Sequence, residues 1–156
     1  RDFRSNEFCP IDLETAVDRL SKMVPLLENE SIDVIRIGLQ ANELLGTNVI
    51  AGAYHPAMGE LVRGRILRNH IEGLVVETVR AEANVSKPSF KLTIQTPFQL
   101  ESQVKGQKSC NIKWLKNRFL LSTIALNVVR EEPQNGNKLN SIKEVKVRIC
   151  NVDRPA

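Results

Sequence analysis

The side chains best suited to ligate a metal or attack a substrate are few: three cysteines, Cys9, Cys110 and Cys150, and two histidines, His55 and His70. The cysteines are too far apart for a short-spaced zinc set, and an odd number so spread is no disulfide framework. Such thiols fit a reducing, cytoplasmic compartment. No Ser/His/Asp set, paired carboxylates or phosphate-binding loop appears, so the sequence offers no catalytic mechanism of its own. Three local groupings remain. Tyr54-His55-Pro56 places an imidazole at a helix start, where it can hydrogen-bond an anion or carbonyl or simply cap the helix. Arg36 interrupts an apolar run and, if buried, needs a partner such as Asp33 or Glu60. Lys105, Lys108, Lys113, Lys116 and Arg118 stand against Glu101 alone, an excess equal to the whole chain's net charge of +4. A basic surface confined to one segment suggests a polyanion site, or a solvated helix face.

These groups need elements to hold them. Leu13, Ala16, Val17, Leu20, Met23 and Leu27 predict a helix over 12–28, capped by Asp12, with Pro25 disturbing its last turn. Residues 32–39 (IDVIRIGL) are apolar on both faces and read as a strand covered on two sides. After the 51–56 loop, Pro56 suits a first helical position. The following helix spans about 57–72, with Met58, Leu61, Val62, Ile66 and Ile71 inward and Arg63, Arg65 and Arg68 outward. Residues 73–83 are ambiguous, since valines favour a strand and continuity favours a helix.

A linker over 84–89 is expected to separate two lobes, 1–84 and 85–156. In the second lobe, Phe90, Leu92 and Ile94 alternate with polar residues as in a half-buried strand. A short helical turn near 97–104, a glycine turn, a helix with Ile112, Leu115 and Phe119 inward, and a strand over 123–129 follow. A loop over 131–141 carries an Asn-Gly turn signal. A last strand alternates Val145, Val147 and Ile149 with Glu144, Lys146 and Arg148, charges that blunt an edge. The expected class is α+β: a helix–strand–helix lobe, then a βααβ lobe with an added carboxy-terminal strand. At 42% hydrophobic and 26% charged, the chain can bury a core. It has no apolar run long enough to cross a membrane and no apparent signal peptide.

Two segments resemble known families. IDVIRIGLQ (32–40) and VIAGAYHPAMGELVRGRIL (49–67) resemble the carboxy-terminal extension of bacterial, notably clostridial, radical SAM proteins of the Elongator catalytic subunit and coproporphyrinogen oxidase-like group. The matching residues are Arg36, Gly38, Leu39 and Gln40, then Gly52, His55, Pro56, Glu60 and Leu61. The resemblance implies an upstream barrel in the same chain, with a [4Fe–4S] cluster and S-adenosylmethionine, and makes Arg36, Tyr54 and His55 the residues to face substrate. Such a cluster takes a C-x-x-x-C-x-x-C run, which this sequence lacks, so no cofactor is expected in this piece. The sequence begins at Arg1 rather than Met and is expected to be a carboxy-terminal piece of that Fe–S oxidoreductase.

The second segment, VKGQKSCNIKWL (104–115), is similar to the G-x-x-G-x-x-I-x-x-L core of KH nucleic-acid-binding domains. Gly106, Ile112 and Leu115 match, while Ser109 replaces the second glycine. That resemblance implies RNA binding through Lys105, Gly106, Gln107, Lys108, Ser109 and Lys113. The expected partners are therefore the barrel, RNA, or a second copy pairing through exposed apolar surface.

Overall fold

The Asp12 carboxylate accepts from the Thr15 amide at 2.9 Å and from the Thr15 hydroxyl at 2.6 Å, which starts the first helix, α1 (Leu13–Asn29). Both bonds favour the ionised form, so the Asp12 pKa is held below its ordinary value. Pro25 lies inside α1. The helix closes on Ile32 N–H to Leu27 O (2.9 Å) and Ser31 N–H to Glu28 O (3.1 Å), with Ser31 at φ 60°. That pair of bonds is a Schellman end, in which the left-handed position is usually glycine.

The structure is a computed structural model that describes residues 9–39, 49–81, 90–121, 123–129, 142 and 144–151. The chain forms two compact units, Arg1–Ile66 and Leu67–Ala156. In the first, Val17, Val24, Met58 and Val62 form the buried core, flanked by Leu13, Leu20, Val34, Ile37, Ala53, Leu61 and Ile66.

The segment 32–39 departs from the expected strand. It carries no sheet pairing among the described residues. A strand exists only through its neighbour's hydrogen bonds, and this unit supplies no neighbour among them. Val34 and Ile37 still reach the core, while Ile35 is 97% and Leu39 63% exposed. A Cβ on Gly38 (φ +82°) would fall 2.7 Å from Met58 Cβ, so only glycine lets this segment lie against the start of the next helix.

That helix, α2 (Met58–Ala81), continues through the ambiguous stretch as far as Ala81. Leu67, Ile71 and Val75 are fully buried at four-residue spacing. This helical stripe outweighs the strand preference of the valines. The arginines expected to face outward are half-buried instead. Arg63 pairs with Glu28, and Arg65 with Glu14 and Asp18. The Arg68 guanidinium lies 4.2 Å from the Trp114 ring centroid. Their aliphatic stems cover apolar surface while the heads find partners. The expected linker at 84–89 lies outside the described residues.

The second unit holds a three-stranded sheet of β1 (Phe90–Pro97), β2 (Ile124–Val129) and β3 (Lys146–Asn151), in the order β2-β1-β3. β1 pairs parallel with β2 and antiparallel with β3. A parallel neighbour requires a crossover. Here it comprises a 3-10 turn (Phe98–Leu100), α3 (Glu101–Lys105), a second 3-10 turn (Gln107–Ser109) and α4 (Cys110–Phe119). Leu92 and Ile94 of β1 bury against Leu67, Ile71 and Val75 of α2, Val104 of α3 and Leu115 of α4. The α+β class, the βααβ order and the added strand all follow the expectation; the loop over 131–141 lies outside the described residues.

Candidate functional site

The 49–57 loop delivers Tyr54 and His55, both half-buried, to the start of α2. Gly52 takes φ +104°, and the Tyr54 N–H donates to Gly52 O at 2.9 Å. His55 Nδ1 accepts from the Ala57 N–H at 3.1 Å, and His55 O accepts from the Met58 N–H at 3.1 Å. The ring therefore caps the helix with Nδ1. In the neutral imidazole the proton then sits on Nε2, the nitrogen left to donate outward. Arg36 is exposed rather than buried, and among the described residues it forms no ion pair with Asp33 or Glu60. Solvation replaces the buried partner that the sequence reading required.

In the second unit, α3 and α4 meet at a tight turn. Gly106 adopts φ 69°, and a Cβ there would lie 2.7 Å from Cys110 Sγ and 2.9 Å from Asn111 Cγ. Lys108 and Ser109 follow at φ 51° and 59°. Ser109 stands at the cap position of α4 but makes no side-chain cap bond, because its left-handed backbone is not the extended one a capping serine uses. The Ser109 amide donates to Gly106 O at 3.0 Å instead. Lys105, Gln107, Lys108, Ser109 and Lys113 are all exposed. Lys105 pairs with Glu101, whereas Lys108 and Lys113 form no ion pair among the described residues.

The group holding this turn was missed in the sequence. Asn111 is buried, and its Nδ2 donates to Gln103 O at 2.9 Å, tying α4 to α3. An available signal was that Asn111 sits four residues before the inward Leu115, on the buried stripe. Arg68 on Trp114 and Arg118 on Glu72 (2.9 Å) were likewise not anticipated.

Residues 1–68 match the family model of the radical SAM C-terminal domain. These residues, less than half of the chain, are similar to the radical SAM C-terminal domain, and the match supports an accessory role in a radical SAM protein. No curated protein and no solved structure matches the chain. The matched stretch covers α1, the 49–57 loop and the opening turns of α2, so Arg36, Tyr54 and His55 all lie inside it. The 106–109 turn lies outside it. The family uses a [4Fe–4S] cluster and S-adenosylmethionine, but the thiols here do not fit a cluster. Cys9 and Cys110 are exposed in different units, Cys110 beside Gly106, and the spacing offers no three-thiolate run.

Proposed function

We propose that this chain is the non-catalytic carboxy-terminal part of a bacterial, cytoplasmic radical SAM iron–sulfur oxidoreductase, where it closes the barrel and positions substrate. The observation that carries this reading is Ile35, almost fully exposed, with Leu39 also exposed, in a segment inside the matched stretch. A strand-like apolar segment left without a neighbour is suited to pair with an upstream sheet. The functional extension is taken as 1–84 and the following lobe as 85–156. His55 Nε2, Tyr54 and Arg36 are then the groups turned toward substrate. The test is the reading frame upstream of Arg1. Its barrel, produced separately, should co-elute with this chain, and Ile35→Asp should abolish co-elution. A barrel that never associates with the chain overturns the reading.

A second reading, an RNA-delivering module, rests on the 106–109 turn. Lys108 and Lys113 stand exposed around a turn whose backbone only glycine permits at 106. Anisotropy with a short single-stranded oligonucleotide tests it. Lys105→Ala with Lys108→Ala should weaken binding and leave the fold intact.

A further inference from the structure

The sheet of the second unit has one mainly apolar side and one mainly polar side, on which Ala125 and Val129 of β2 also stand. Leu92 and Ile94 face the helices. Strand alternation sends the intervening residues to the other side. The register aligns them in rows: Thr93 lies beside Arg148, and Gln95 lies between Lys146 and Asn127. Lys91 continues the face along β1. Lys91, Asn127, Lys146 and Arg148 are exposed, and Thr93 and Gln95 half-buried.

Edge protection accounts for charges on β3, an outer strand. It does not account for Lys91, which sits on the central strand. The three cations form no ion pair among the described residues, and the strands themselves hold no carboxylate between them; Glu144, exposed two residues before Lys146, stands just outside β3. Successive same-face residues on β3 lie about 6.8 Å apart, and Lys91 is diagonal to Arg148 at about 7–8 Å. The sheet thus holds three cations in a row, none of them ion-paired among the described residues.

We propose that this outer sheet face binds the sugar–phosphate backbone of base-paired RNA. A fixed row of cations suits a polymer with charges at a fixed short repeat. The hydroxyl of Thr93 and the amides of Gln95 and Asn127 stand among the cations, able to donate to and accept from a ribose 2′-OH. None of the six residues is aromatic, so the face lacks the stacking platform that unpaired bases require. Contact through backbone alone selects a helix by shape rather than a sequence. This surface is distinct from the 106–109 turn and does not depend on the radical SAM assignment.

The experiment is fluorescence anisotropy of the whole 156-residue chain with a labelled RNA hairpin, a DNA duplex of the same sequence and a poly-glutamate peptide. The hairpin should bind at about 50 mM salt, and the K91Q/K146Q/R148Q variant should bind at least about tenfold more weakly, its log–log salt slope shallower by about 3. Asn127→Lys adds a cation to the same face and should tighten binding while steepening the slope by about one, a gain that misfolding cannot mimic. Wild-type affinity in the triple variant overturns the proposal. So does loss confined to a K105Q/K108Q/K113Q variant, equal binding of DNA or poly-glutamate, absence of hairpin binding, or no gain from Asn127→Lys.

Discussion

Gly106 and Asn111 act as one device. The glycine supplies a positive φ and the space that Cys110 and Asn111 fill, and the asparagine amide satisfies the Gln103 carbonyl. Asn111→Leu leaves that carbonyl unpaired and should lower unfolding free energy by about 1–3 kcal/mol, read by urea titration. Gly106→Asp should destabilise too, so any loss of RNA binding in it must be corrected for the folded fraction. His70 gives a pH signature. Burial holds its pKa below 6.5, with the Glu77 carboxylate pulling the other way. The unfolded state then binds more protons in the window below 6.5. Stability from this group is complete above 6.5 and falls as pH drops through the lowered value. His70→Gln should flatten that part of a stability–pH curve, and an unchanged slope there would remove His70 from the account. His55 was legible as a helix-start residue because Pro56 follows it. Ser109 was not, because residue type alone cannot report a left-handed backbone at the cap position.

At the scale of elements, periodicity carried most of the reading. The extent of α1 and the alternation of β1 and β3 matched their elements, but the inward stripe of α1 held only in its first half: Met23 and Leu27 are exposed, and Ser21 and Val24 are buried instead. The 32–39 segment failed because its pattern specifies a strand but not a neighbour, and pairing is a property of two segments. The arginines of α2 failed because a charged side chain was equated with an outward one, although Glu14, Asp18 and Glu28 of α1 meet Arg63 and Arg65 within the same unit. The end of α1 yields a prediction. Ser31 holds the left-handed position of the Schellman turn and is exposed. Ser31→Gly removes a steric cost of roughly 1 kcal/mol and should raise the melting temperature. A lower melting temperature would mean the gain is outweighed by the unfolded-chain entropy that glycine adds.

Among the described residues of the molecule, exposed apolar surface belongs mainly to the first unit. Ile32, Ile35, Leu39 and Ile50 are more than half exposed there, as are Met23 and Leu26 of α1; the second unit shows Phe98 and Leu120. Scattered exposed apolar residues are ordinary, but several in one small unit suggest a surface made to be covered. If an upstream barrel is its natural cover, the isolated chain must expose that surface or self-associate. Sedimentation should therefore show a concentration-dependent monomer–dimer equilibrium, which Ile35→Asp with Leu39→Asp shifts to monomer. Neither side chain belongs to the Val17, Val24, Met58 and Val62 core, so the double variant should melt close to the wild type. Adding the separately produced barrel should also dissociate the dimer, because the two partners compete for one face. A dimer that persists unchanged in the double variant would place self-association elsewhere. A wild-type dimer that tolerates saturating barrel would mean that the barrel, if it binds, uses a different surface. The competition arm thus distinguishes an accessory domain separated from its barrel from a chain whose apolar face serves only another copy of itself.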